Sequence, residues 1–105
     1  MTVLSRDGDK AVIRPAIDLV AGSVPELRTQ MRGVVDEGAR ELVIDLANVQ
    51  MVDSSGIGLL VSAHNSLNRL GGRLAVIHAS KDLLDLFHTM RIHQHFSVSG
   101  DDPEK

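Results

Sequence analysis

One segment, Met51-Val52-Asp53-Ser54-Ser55-Gly56-Ile57-Gly58, gathers at short spacing the residue types that do chemistry. It joins an apolar run, Leu42-Val43-Ile44 with Leu46, to an amphipathic stretch that begins at Ser54 or Ser55. Ligands of open α/β sheets meet the protein at such strand-to-helix turns. The first N–H groups of a helix lack intrahelical acceptors, and the macrodipole there favours negative charge. A phosphate on the Ser54 hydroxyl would sit in that field. Gly56 and Gly58 remove side chains and let another surface come close. The same residues also suit a plain helix cap, since Ser and Asp are preferred capping types. On chemistry alone the cap is the simpler account, because four small polar residues in a row are not specific.

Three enzymatic or metal readings fit the residues less well. A serine hydrolase would draw on Ser54, His64 and Asp85, but the nucleophile elbow G-x-S-x-G needs glycine at position 52, where Val52 stands. His64 falls on the apolar stripe of its predicted helix, which favours a packed or edge-exposed side chain over a base. Gly56-Ile57-Gly58 begins a G-x-G, yet position 61 is Val61 and the dinucleotide pattern is incomplete; no G-x-x-x-x-G-K-[ST] occurs. The five histidines are His64, His78, His88, His93 and His95. His93 and His95 fit one face of a strand, but two histidines without carboxylates make a weak site, so no metal is expected.

The elements that position the segment follow from periodicity. Val3-Leu4, a turn at Arg6-Asp7-Gly8-Asp9 and Ala11-Val12-Ile13 predict an N-terminal hairpin. Ser23 as cap, Pro25 in the first turn and Glu26 three residues after the serine open a helix. Its apolar positions are Val24, Leu27, Met31, Val34 and Val35, with Gly38 as C-cap. The 42–46 run predicts a strand buried on both faces. The second helix carries Ile57, Leu60, Val61, His64 and Leu67, flanked by Ala63 and Leu70, and ends at Gly71-Gly72. Arg73–Ile77 is the next strand. Ser80 caps a third helix with Leu83, Leu86, Phe87 and Met90 on one side, and His95–Val98 is a last short strand. Gly100–Lys105 is a polar tail. This order predicts an α/β domain over residues 1–105, with a mixed, mostly parallel sheet and flanking helices.

Composition narrows the partners. With 105 residues, 43% of them hydrophobic, the chain can bury one core. There are no cysteines, which excludes disulfides and cysteine-based metal sites. A net charge of -3, two Phe and no Trp or Tyr argue against a nucleic-acid partner, which needs basic patches and stacking rings. No apolar stretch nears the roughly 20 residues of a membrane span, and Arg6 and Lys10 precede no signal-type apolar segment, so a cytoplasmic location is expected.

Leu42-Val43-Ile44-Asp45-Leu46, then Val49, Met51-Val52, Asp53-Ser54-Ser55-Gly56-Ile57-Gly58-Leu59-Leu60 and Gly71-Gly72-Arg73-Leu74 closely resemble the STAS family. That name joins sulfate transporters and anti-sigma factor antagonists. The similarity continues through Leu83-Leu84-Asp85-Leu86-Phe87 and Met90, is dense over residues 41–91 and looser back to about residue 11. An Asp-Ser-Ser-Gly after such a strand is characteristic of the antagonists, whereas transporter STAS domains are appended to membrane segments.

The resemblance implies a regulator and not an enzyme, with no cofactor. Ser54 matches the serine phosphorylated by an anti-sigma factor that is also a serine kinase with a histidine-kinase-like ATPase fold. Ser55 is the secondary candidate. The unphosphorylated antagonist binds that kinase and frees the sigma factor, and a PP2C-type phosphatase resets it. Asp18 matches the family's acidic residue after the second strand, near the phosphorylation site. The implied contact surface is therefore Asp18 with Asp53, Ser54, Ser55, Gly56, Ile57 and Gly58. A scaffold STAS module that binds without phosphorylation is the alternative role. This chain departs from the family at Pro15-Ala16, where glycine is usual, and in a slightly longer Leu19–Ser23 connection. Members usually add a C-terminal helix, and this chain stops at Lys105.

Overall fold

Asp7 and Lys10 face each other across a two-residue turn, Gly8-Asp9, in which Gly8 takes φ +63°. Only glycine adopts that conformation without a Cβ penalty, and it closes a tight antiparallel hairpin. The computed structural model describes residues 3–100. Strands β1 (Val3–Asp7) and β2 (Lys10–Arg14) form the hairpin. Helix α1 (Val24–Asp36), β3 (Glu41–Asp45), α2 (Ser54–Arg69), β4 (Arg73–Ala79), α3 (Lys81–Thr89), a 3₁₀ turn (Ile92–Gln94) and β5 (Ser97–Gly100) follow. The sheet runs β1-β2-β3-β4-β5, antiparallel at β1–β2 and parallel thereafter, as the alternation of strands and helices predicts.

Register shows how the core is built. Ala11 and Ile13 pair with Leu42 and Ile44, which pair with Leu74 and Val76. All six are buried in one cluster with Leu27, Met31, Leu60, Leu67 and Phe87 from the helices. Sequential strand order with right-handed crossovers brings the three helices to this same face. The alternate residues Val12, Ala75 and Ile77 are only half-buried. β3 is buried along almost its whole length, as expected of a central strand.

Details differ from the sequence expectation. Ser23 does not cap α1: its backbone is already near-helical, and its hydroxyl turns back to accept from the Val20 N–H and donate to the Asp18 carbonyl. Gly38 and Gly71 do end their helices, with φ +108° and +78°, each closed by paired backbone bonds such as Ala39 N–H to the Val34 carbonyl and Gly72 N–H to the Leu67 carbonyl. On α2, Leu59 is buried and Leu70 is exposed. On α3, Leu83 and Phe87 point inward while Met90 is exposed. The last strand begins at Ser97, not His95, because the 3₁₀ turn takes up residues 92–94 and Phe96 is buried ahead of the strand. Gly100 belongs to β5, and the rest of the expected tail lies outside the described residues.

At the carboxyl end of β3 sits Asp45, a charged side chain at 1% exposure. The Arg14 Nε and Nη2 donate to its Oδ2 at 3.0 and 2.9 Å. The Ala47 N–H donates to Oδ1 at 2.9 Å, and the His78 Nδ1 lies 2.9 Å from the same oxygen. His78 takes φ +57° at a β4 irregularity between Val76 and Ala79, which re-aims the ring. Burial by itself would raise the Asp45 pKa. The Ala47 N–H, His78 and Arg14 outweigh it and hold the carboxyl below the usual carboxylate range. A carboxyl depressed on folding stabilises the native state above its unfolded pKa of about 3.9 and loses that contribution as pH falls through the folded value. Asp45→Asn is therefore expected to lower unfolding free energy at pH 7 by about 1–3 kcal/mol. In urea melts the gap to wild type should narrow toward pH 2; a gap unchanged with pH would refute the charged role.

Candidate functional site

Two connections meet at the start of α2, and each is tied to the other through an aspartate. Asp18, in the β2–α1 connection, accepts from the Gln50 and Met51 N–H groups with Oδ1 at 2.9 and 3.2 Å. Asp53, at the end of the β3–α2 connection, accepts from the Ala21 N–H with Oδ2 at 3.1 Å. Its Oδ1 accepts from the Gly56 N–H at 3.0 Å, which caps α2. Between these bonds the backbones pair: Leu19 N–H to the Met51 carbonyl at 3.0 Å and Asp53 N–H to the Leu19 carbonyl at 3.1 Å. Leu19 and Val52 form a parallel bridge. The crossed aspartates thus satisfy backbone donors that irregular chain would otherwise leave open.

Gly56 permits this approach. A Cβ there would collide with the Leu19 carbonyl and lie 2.8 Å from the Val52 Cγ1. Its missing side chain serves internal packing, which differs from the expectation that it makes room for a partner. Ile57 is likewise buried in the core. Gly58 is exposed, with open space where a Cβ would stand. Of the expected contact residues, Asp18, Asp53, Ser54, Ser55 and Gly58 reach the surface, and Gly56 and Ile57 shape it from below.

Ser54 is the first residue of α2 and is exposed. The Gly56 N–H is taken by the Asp53 cap and the Ile57 N–H by the Asp53 carbonyl. The Ser54 and Ser55 N–H groups precede the first helical bond and are left for an outside acceptor. Ser55 is half-buried and turns toward a cleft of about 620 Å³ beside Pro25 and Arg28. Two apolar residues outside the expected contact set stand beside the aspartates: Ile17 and Met51, 56% and 57% exposed. Their signal was an apolar residue in a connection without strand or helix period.

The rival constellations are not assembled. Ser54 and His64 are ten residues apart on α2, about 15 Å along the axis. The His64 ring lies near Phe96 and His95, with centroids 5.7 and 6.2 Å away, and Asp85 is an exposed residue of α3. Gly56-Ile57-Gly58 lies inside α2 and not in a loop ahead of it. His93 is in the 3₁₀ turn with its ring 4.4 Å from that of His88, while His95 faces His64, so the two do not share a strand face. Among the described residues no cluster of three potential metal ligands occurs, and no helix is long and apolar enough to cross a membrane.

The two glycines make a paired test. Gly56→Ala should cost about 1–3 kcal/mol by forcing Leu19 away, whereas Gly58→Ala should be neutral or stabilising by up to about 1 kcal/mol. Thermal unfolding of both variants measures this; equal melting temperatures would contradict the close approach.

Comparison with known proteins agrees with this architecture. The STAS domain model matches residues 2–101. An anti-sigma-B factor antagonist of Staphylococcus epidermidis is 34% identical over 65 residues, 62% of this chain and 60% of that protein. The chain thus matches about 60% of the length of such curated relatives. A Thermotoga maritima protein of known crystal structure superposes with a TM-score of 0.88 at 14% identity, covering 98% of this chain and 89% of that one. The Bacillus cell-fate determinant SpoIIAA has known unphosphorylated and phosphorylated structures, with TM-scores of 0.80 and 0.74 at 20% identity. These cover 93% of this chain and 87% and 90% of theirs. By this match along nearly the whole sequence the chain belongs to the STAS domain family, and within it resembles the anti-sigma factor antagonists.

Proposed function

We propose that this protein is an anti-sigma factor antagonist switched by phosphorylation of Ser54. In its unphosphorylated form it binds an anti-sigma factor that is a serine kinase with a histidine-kinase-like ATPase fold, and the sigma factor is released. A PP2C-type phosphatase restores the binding form. The protein acts in the cytoplasm as a binding module and needs no cofactor of its own. Partner switching of this kind belongs to transcriptional stress responses.

The observation that carries the reading is the placement of Ser54. Its hydroxyl is exposed on the first turn of α2, on a connection held rigid by Asp18 and Asp53. A kinase can reach it without unfolding anything. Exposed Ile17 and Met51 and open Gly58 supply apolar and flat surface around it for a well-packed contact. Phosphoserine adds about -1.5 to -2 charge at neutral pH. The two free N–H groups and the helix dipole tolerate that charge, so the fold persists. The partner interface does not tolerate it: beside Asp53 the phosphate raises the cost of desolvating the surface, and the complex weakens.

The phosphorylation-independent scaffold is the second reading, favoured by the cap geometry of Asp53, which would be the same in a chain that is never modified. Intact mass after incubation with ATP and the genome-neighbour histidine-kinase-like ATPase separates the two. One added phosphate on the Ser54 peptide is expected, with unchanged far-ultraviolet circular dichroism. Ser54→Ala should bind that kinase constitutively, and Ser54→Asp should bind about tenfold or more weakly, a loss of about 1.4 kcal/mol. A stable complex without phosphate transfer would favour the scaffold. Equal affinity of wild type, alanine and aspartate forms would exclude the switch.

A further inference from the structure

We propose that the groove between α1 and α2 is a second docking surface, built for an acidic amphipathic helix of a partner protein. The two helices pack over the sheet but leave a trench of about 340 Å³ between their outer faces. Buried Met31, Leu59 and Leu67 form its base, and the apolar surface it offers comes from half-buried Val35 on α1 and Ala63 on α2. The trench is open because α2 presents Ser62, Ala63 and Ser66 there, side chains too small to fill it. Leu70, half exposed, stands at its mouth.

Charge decides the occupant. Arg28 and Arg32, one helical turn apart on α1, line one wall, and Arg69 at the end of α2 lines the other. Asp36 is the one carboxylate in that lining. Elsewhere Arg6, Arg14 and Arg73 each meet a carboxylate of this chain. Among the described residues, Arg28, Arg32 and Arg69 form no ion pair; Arg69 has only a 3.4 Å contact with the Ser66 hydroxyl. A chain of net charge -3 therefore gathers three unpaired guanidinium groups around one apolar trench. Like charges at i and i+4 disfavour a helix slightly, so this arrangement gains nothing within the monomer.

An apolar floor between basic walls is complementary to a helix with an apolar stripe flanked by Glu or Asp. Such helices enter grooves by anchors at i, i+3 or i+4 and i+7. The planar fork of arginine suits carboxylates on both flanks. A concave trench matches a cylinder better than it matches a bilayer surface. Arg28 and Ser62 also line the cleft beside Ser55, so the trench runs on toward the start of α2.

The test is a nuclear magnetic resonance titration of the full chain with a synthetic peptide of about 18 residues, long enough for five helical turns. The peptide carries leucine at i, i+3, i+4 and i+7 repeats with flanking glutamates. Saturable shifts at Val35, Ala63 and Ser66 are expected. Arg28→Glu/Arg32→Glu should weaken binding about tenfold or more, and so should a peptide with glutamine for glutamate. Circular dichroism checks that the variant folds, and Arg28→Gln/Arg32→Gln provides a milder second variant. Silence up to about 1 mM peptide, shifts confined to other surfaces, or equal binding of the glutamine peptide would overturn the proposal. Binding to phosphatidylglycerol vesicles without peptide binding would overturn it in favour of a membrane surface.

Discussion

The arrangement depends on one exchange of hydrogen bonds: each of two connections supplies an aspartate that satisfies the backbone of the other. Asp18 holds the N–H groups of Gln50 and Met51, and Asp53 holds that of Ala21. Irregular backbone at the end of a parallel sheet has no ladder to bond with, and unpaired donors there are costly. The crossed aspartates remove that cost and, in the same act, fix the entry of α2. The Leu19 carbonyl then lies against Gly56, so only a residue without a Cβ fits at the third position of the helix. The exposed hydroxyl of Ser54 is a product of this constraint, not an accident of a mobile loop.

A second charged device stands behind it. The Asp45 carboxylate closes the end of β3 by joining Arg14 from β2, His78 from β4 and the Ala47 N–H of the outgoing connection. A buried carboxylate is tolerated only when its lone pairs are filled, and here four donors converge on it. The connection to Ser54 is thus tied at both ends, to the sheet at Asp45 and to the neighbouring connection at Asp18 and Asp53. Under the proposed switch, this rigid connection would present Ser54 to a kinase in one geometry. The α1–α2 trench lies on another part of the surface but shares α2 with the serine, so both surfaces are carried by one element that packs directly on the core.

Much of the fold was legible in the sequence because period and punctuation agree. Gly8, Gly38 and Gly71 stand where positive φ is required, and the apolar spacing of α1 and α2 places Leu27, Met31, Leu60 and Leu67 inside. The start of α2 at Ser54 was legible too, from a serine that follows an apolar run and an aspartate. Ser23 was misread because its type suits a cap, whereas the preceding loop draws its hydroxyl back to Asp18 and Val20. The start of β5 was misread because alternation at 95–98 says nothing of the 3₁₀ turn that buries Phe96 first.

The sequence by itself determined the order of elements, the apolar face of each, and the chemical types at the start of α2. These are local properties, set by side-chain period, capping chemistry and glycine's freedom in φ. Tertiary structure alone decided which residues meet. Arg14, Asp45 and His78 are far apart in the chain, and nothing in their spacing pairs them. Asp18 and Asp53 are each ordinary turn residues until the parallel register of β2 and β3 brings their loops side by side. That register also set Gly56 against the Leu19 carbonyl and left Gly58 in open space, because contact between distant segments is set by how the sheet and helices stack and not by any pattern along the chain.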